Sequence, residues 1–167
     1  MSVKRVPSEV SDAYLHTVSA GSVLPETIPK TLRIVSTPLN GAGSRLVPDC
    51  LRQNGYTDLF VVPEQAEPDG HFLTCPEPNP ENDRAWILAR QLAEQRNAEI
   101  ALATDPDCDR LGVAARGPGG LIRLTGNEVA LLLAEYLFSA GAEQHLLPER
   151  PVLIRTIVTA PLLERIA

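Results

Sequence analysis

No run of eighteen apolar residues occurs in the 167-residue sequence, and residues 1–9 carry charge without a hydrophobic region. Neither a membrane-spanning helix nor a secretory signal is therefore expected. Cysteine is scarce: Cys50, Cys75 and Cys108 are odd in number, far apart and never in a C-x-x-C pair. They read as reduced residues of a cytoplasmic protein, not as a disulfide framework. Positive charge is also in deficit, with 15 Lys and Arg against 21 Asp and Glu. The resulting net charge of −6 argues against nucleic acid as a partner. No internal repeat or low-complexity tract stands out. Aromatic residues make up only 4%, but 44% hydrophobic content is ordinary for an α/β domain. The length allows one full domain with fragments of neighbours.

What the sequence does have is Asp105-Pro106-Asp107-Cys108-Asp109-Arg110, a carboxylate at every second position closed by a guanidinium. Apolar runs flank it, residues 100–104 before and 111–115 after, and both read as buried strands. Three acids between two core segments repel one another and lose water, which is costly unless a cation sits among them. Hard cations such as Mg²⁺ take oxygen ligands. In an extended chain Asp105 and Asp109 would lie about 13 Å apart, so the loop must curl to bring them to one ion. Pro106 helps start that bend. An EF-hand is excluded, because its sixth position needs Gly and its twelfth Glu, where this chain has Arg110 and Arg116. A haloacid-dehalogenase-type nucleophile loop usually has Thr or Val where this chain has Asp109. A solvated acidic turn between strands is the plain alternative.

The remaining pattern is that of an α/β chain. Residues 8–18 predict a short helix with Ser8 as its N-cap and Val10, Tyr14 and Val18 on one face. A linker with Pro25 and Pro29 spans 21–30. A strand at 32–36 leads into a glycine-bearing turn. The helix that follows carries Leu46, Val47, Cys50 and Leu51 and stops at Gly55. Gly41 and Gly43 lack the third glycine of a dinucleotide fingerprint, so a plain strand-to-helix turn is the better reading. After a strand at 58–62, residues 63–82 hold Pro63, Pro68, Pro76, Pro78 and Pro80. That segment reads either as a functional loop or as a cover over the sheet edge. Asn82 or Asp83 caps a helix whose stripe is Trp86, Ala89, Leu92 and Ala93. A Gly-Pro-Gly-Gly turn at 117–120 joins the 111–116 strand to residues 121–124 as a hairpin. Thr125 to Glu128 has the form of a capping box, and Val129, Leu132, Leu133, Tyr136 and Leu137 predict a core-facing helical stripe. Residues 152–158 read as a further strand, with a helix from Thr159.

Asp105-Pro106-Asp107-Cys108-Asp109-Arg110 resembles the D-P-D-x-D-R metal loop of the α-D-phosphohexomutase superfamily (phosphoglucomutases, phosphomannomutases and relatives). Three more matches follow in the right order. Thr37-Pro38-Leu39-Asn40-Gly41-Ala42-Gly43 resembles the family's T-P-L-H-G-x-G turn, Pro78-Asn79-Pro80-Glu81 its P-N-P-E segment, and Gly126-Asn127-Glu128 its G-[ND]-E helix start. The match covers nearly the whole chain, and residues 62–81 are most similar to the phosphoglucomutase and phosphopentomutase-like branch. The resemblance implies a four-domain enzyme with this chain as its second domain. The implied fold is α/β, a mixed four-stranded sheet packed between helices, plus a truncated strand and helix at the carboxyl end. Residues 1–29 would be an entry helix and linker, 30–140 the domain with its metal loop, and 141–167 a linker and the truncated start of domain 3.

The resemblance further implies that Asp105, Asp107 and Asp109 hold Mg²⁺, with a phosphoserine of the first domain as the fourth protein ligand. It implies that Arg110 binds substrate by meeting phosphate oxygens; an ion pair that holds the acidic loop is the other reading of this residue. The implied reaction interconverts sugar 1-phosphate and 6-phosphate, or a pentose 5-phosphate, through the phosphoserine and a bisphosphate intermediate. Its partners would be the sugar phosphate and domains 1, 3 and 4. Two departures matter. Asn40 stands where many relatives have His, so no imidazole role carries over. No T-A-S-H-N-P-like serine loop is present, so no catalytic residue is assigned and the isolated chain is expected to be inactive. The competing classes are a free-standing Mg²⁺- or phosphate-binding module and an interaction domain docking through residues 152–167.

Overall fold

The structure is a computed structural model and describes residues 6–23 and 29–166. The middle of the expected 21–30 linker, including Pro25, lies outside the described residues. Among the described residues, four α-helices and five strands follow one another as α1 (Ser8–Ala20), β1 (Ile34–Thr37), α2 (Gly43–Gln53), β2 (Leu59–Val61), α3 (Ile87–Arg96), β3 (Ile100–Thr104), β4 (Leu111–Gly117), β5 (Gly120–Leu124) and α4 (Gly126–Glu143). None of these helices is long and apolar enough to cross a membrane.

The sheet has five strands, where the resemblance implies four. Its order is β2-β1-β3-β4-β5. β1 pairs parallel with both β2 and β3, while β3–β4 and β4–β5 are antiparallel. β2, expected at 58–62, is short at three residues, but it keeps register with β1 from Ile34 opposite Leu59 to Ser36 opposite Val61. From β1 the chain crosses outward to β2 and then back over β1 to β3. Crossovers of the usual right-handed sense that run in opposite directions put α2 and α3 on opposite faces. The strand order reverses between β1 and β3, and in open α/β sheets the crevice at the carboxyl ends of such a pair is where ligands bind.

The core is built largely from small residues. Val35, Ala101, Ala103 and Ala114 of the sheet cluster with Trp86, Ala89 and Ala93, all of them fully buried. Alanine on both sides lets α3 lie close to the strands, and Trp86 fills the volume that remains. Its indole N–H donates to the carbonyl of Pro80 at 2.7 Å, so the one polar atom of the ring is satisfied. Asn82 caps the 3₁₀ turn Asp83–Trp86 that leads into α3, its side chain accepting from the Arg84 amide at 3.0 Å. At the far end of α3, Arg116 donates to the carbonyls of Ala98 (2.7 Å) and Ala93 (3.0 Å), tying the helix terminus to β4. The capping box of α4 also forms: the Glu128 amide donates to Thr125 Oγ1 at 3.2 Å, and the Thr125 amide to Glu128 Oε2 at 2.7 Å.

Several expectations fail, for related reasons. Pro7, not Ser8, occupies the N-cap of α1, and its expected face of Val10, Tyr14 and Val18 is exposed. Leu15 is the buried residue instead, because α1 packs on α2 and not on the sheet. On α4, Leu132, Leu133 and Leu137 are exposed and Ala134 is buried, since the helix meets β4 with its small-residue side. Residues 152–158 form no strand. Among the described residues no strand pairs with them, and Val152, Ile154, Ile157 and Val158 stand in solvent. Pro161–Arg165 is a 3₁₀ turn anchored by buried Leu163, not an α-helix.

Gly112 of β4 faces the indole. A Cβ built there would lie 2.7 Å from Trp86 Cζ2 and 2.7 Å from Pro80 Cβ. Gly112→Ala overpacks a rigid ring against a proline and is expected to destabilise the chain by about 1–3 kcal/mol. Urea unfolding followed by the fluorescence of Trp86, the single tryptophan, measures this; an unchanged midpoint would contradict the packing described.

Candidate metal centre

Because β1 and β3 are parallel, the turn after β1 and the loop after β3 leave the sheet from the same edge. β4 begins at that edge, Leu111 opposite Thr104, and β5 ends there, so α4 starts there too. All four sequence motifs therefore converge along one rim. The acidic loop curls as its chemistry requires. Pro106 sits at the second position of a turn closed by the Cys108 amide donating to the Asp105 carbonyl at 3.0 Å, and Cys108 takes a left-handed φ of 64°. The loop brings one carboxylate oxygen each from Asp105, Asp107 and Asp109 within 4.8 Å of one another.

The three acids are not equivalent. Asp105 is buried, with its side chain 7% exposed, and it accepts the Arg110 amide on Oδ1 at 3.0 Å. Asp107 and Asp109 lie at the solvent side. The Arg110 guanidinium reaches back with its Nε 3.4 Å from Asp105 Oδ2 and 3.7 Å from Asp109 Oδ1. In this structure Arg110 thus makes the loop-holding ion pairs, while its side chain remains 60% exposed at the rim. The hydrogen bond with Asp105, and then the charges of Asp107 and Asp105, raise the Asp109 carboxyl above its ordinary value, against the opposing pull of Arg110. One guanidinium does not neutralise three carboxylates, and the repulsion left over disfavours the charged form of Asp109.

Oxygen-only donors, spaced on the scale of one ion's coordination shell, fit a hard divalent cation of the Mg²⁺ kind. Such an ion would offset the repulsion among the three carboxylates.

The strand-to-helix turn forms as expected between β1 and α2, and its Gly41 and Gly43 also meet the acidic loop. A Cβ on Gly41 would lie 2.4 Å from Pro106 Cα, and one on Gly43 2.7 Å from Thr104 Oγ1 and 3.0 Å from Cys108 Sγ. The Ala42 amide donates to the Pro106 carbonyl at 2.7 Å. Two loops thus meet backbone to backbone. A G-x-G in the turn between a strand and a helix is the signal that could have marked this contact.

Behind the contact lies a polar network that sequence reasoning also missed. Thr37 Oγ1 donates to Gln65 Oε1 at 2.7 Å, and Gln65 Nε2 to Thr74 Oγ1 at 3.2 Å. Asn40, at φ 59°, donates from its side-chain amide to the carbonyls of Glu64 (3.3 Å) and Glu67 (2.9 Å) and accepts from Thr74 Oγ1 at 3.2 Å. Its side chain is spent on holding the irregular segment. That segment fastens the rim: Glu81 pairs with Arg123 at 3.2 Å, next to the start of α4.

Residues 12–119 match the family model described as phosphoglucomutase/phosphomannomutase, alpha/beta/alpha domain II. A phosphoglucomutase of Staphylococcus saprophyticus is 35% identical over 166 residues, which is 99% of this chain and 29% of that protein. A phosphoglucomutase of Staphylococcus aureus strain MRSA252 is 32% identical over 167 residues, with the same two coverages. Among solved structures, a phosphoglucomutase/phosphomannomutase family protein from Burkholderia thailandensis superposes with a TM-score of 0.63 and 25% identity, covering 78% of this chain and 26% of that one. The chain therefore spans less than a third of the length of these relatives.

Removing one carboxylate from the crowded loop is expected to help the fold when no divalent metal is present. Asp109→Asn should raise Tm in chelator-containing buffer by about 1–2 °C, and less at high salt, where screening weakens the repulsion. Calorimetry checks this. A lower Tm would mean that the Arg110 ion pair outweighs the repulsion.

Proposed function

The chain belongs to the phosphoglucomutase/phosphomannomutase family, and we propose that it is the Mg²⁺-holding second domain of an enzyme interconverting sugar 1-phosphate and 6-phosphate (or a pentose 5-phosphate) through a phosphoserine and a bisphosphate intermediate. The observation that carries this reading is the convergence of Asp105, Asp107 and Asp109 at the carboxyl edge of β3, inside the stretch matched to the family's domain II. In this reading residues 30–140 are the domain proper, residues 1–29 its entry, and 141–167 lead into the next domain. The setting is cytoplasmic.

Phosphoryl transfer gains mainly from positioning and charge neutralisation, and a Mg²⁺ bound here supplies both. The chain's own residues determine where that help is delivered. Asp105, buried and pinned by the Arg110 amide, gives the site a fixed inner ligand. Asp107 and Asp109 close it from the solvent side, where a phosphate would approach. Arg110 lies at the same rim. Its guanidinium carries five N–H donors, more than two ion pairs use, so it can bind phosphate oxygens while it stays paired to the loop. No serine of the chain lies in a T-A-S-H-N-P-like loop, so the nucleophile and most of the sugar pocket belong to other domains. The isolated chain is accordingly inactive.

Asp107→Asn, placed in an enzyme that carries this domain with the family's other domains, is expected to lower kcat by roughly 100-fold or more, the equivalent of several kcal/mol of charge stabilisation. A coupled assay of glucose 1-phosphate to glucose 6-phosphate reads this out. Full activity in the variant, or turnover by the isolated chain, would overturn the proposal.

A further inference from the structure

The geometry points to the turn at residues 38–43 as the element that positions the acidic loop, with Gly41 and Gly43 as positioning residues for metal binding; this rests on the reading of that loop as a metal centre. Gly41 is not required for its backbone angles. The left-handed residues of this turn are Leu39 (φ 48°) and Asn40 (φ 59°), and both carry side chains, whereas neither Gly41 nor Gly43 has a positive φ. What Gly41 supplies is the absence of a Cβ. Its built position lies 2.4, 2.6 and 2.8 Å from the Cα, O and C atoms of Pro106. These are backbone atoms and cannot swing aside. To restore ordinary contact the acidic loop would have to retreat by about 1 Å.

The loop has little else to hold it there. Among the described residues, the bond from the Ala42 amide to the Pro106 carbonyl is the one backbone hydrogen bond reaching residues 105–110 from outside. Inside the loop, the Cys108 and Arg110 amides bond back to Asp105. Three carboxylates push outward against these few ties. A metal centre works only when its ligands are held to within about 0.5 Å, so a displacement of this size matters. The turn is rigid enough to resist: Leu39 is fully buried, and Asn40 is bonded to Glu64, Glu67 and Thr74. Gly43 packs against side chains instead, Thr104 Oγ1 and Cys108 Sγ, which makes its contact reversible by design.

The test is carried out on the whole chain with two readouts. Hydrogen exchange by NMR follows the Cys108 and Arg110 amides without any metal, and Mn²⁺ titration follows the site. Gly41→Ala is expected to cut the protection of those two amides by at least about tenfold while β4 and β5 amides keep theirs, and to weaken Mn²⁺ binding by about 10–100-fold. Val35→Ala, a core change away from the loop, should lower Tm and leave both loop readouts alone. If Gly41→Ala does not fold, Gly43→Ala replaces it. Adding Thr104→Ala and Cys108→Ala clears the atoms it strikes and is expected to return both readouts to near the unmodified chain. Unchanged loop protection in Gly41→Ala, or a Gly43→Ala defect that the companion changes do not relieve, would overturn the inference. Mn²⁺ binding undiminished by Asp105→Asn would instead overturn the metal reading on which it rests, whatever the amides do.

Discussion

Backbone meeting backbone, the turn after β1 against the loop after β3, is the contact on which this architecture depends. It requires three things at once. The two strands must be parallel neighbours, so that both loops leave from one edge. The helix α2 must start immediately, which draws the chain across the edge. And the turn must present no Cβ at Gly41. Each is a statement about sequence. The β1–β3 adjacency follows from the crossover through β2 and α3, and the remaining two conditions are met within residues 41–43.

The rest of the molecule gives that contact a stiff support. An alanine-rich interface brings α3 close to β1, β3 and β4, so small displacements of the strands meet resistance at once. Trp86 then couples this core to the rim, because its indole bonds the carbonyl of Pro80 and packs near Gly112, the second residue of β4. The irregular segment 63–82 runs from the polar network around Gln65 to the Glu81–Arg123 pair. It works as a strap across the working edge, and its polar groups are bonded along the way. An unsatisfied partner in so dry a place would cost about 1–3 kcal/mol, which is why the network pins the segment so firmly.

How much of this could be read from residues alone depends on whether the signal is local. The acidic loop, the capping box at Thr125 and Glu128, the 117–120 hairpin and the core position of Trp86 are set by neighbours in sequence, and they were legible. The curl of residues 105–110 follows from the requirement that three acids reach one cation, with Pro106 starting the bend. The partners of Asn40 and Gln65 lie 24 to 28 residues away or bond through side chains with no periodic signature, so the strap was seen only as proline-rich. The helical stripes of α1 and α4 misled because periodicity tells that a face is apolar, not what covers it. Leu132, Leu133 and Leu137 obey the helical spacing and are still exposed, Leu133 and Leu137 over an apolar cleft of about 620 Å³ between α4 and residues 147–163. Residues 152–158 have β-forming composition but pair with no strand among the described residues, and composition cannot show that.

The accessibility of the three thiols has a practical side. Cys75 is buried and Cys50 half-buried, but Cys108 is exposed, at the left-handed corner between Asp107 and Asp109. A bulky electrophile added at limiting concentration would thus settle first on the crown of the acidic loop. Attachment of a spectroscopic reporter there needs no engineered cysteine, and the same accessibility makes the loop the place where oxidative storage damage would first be felt.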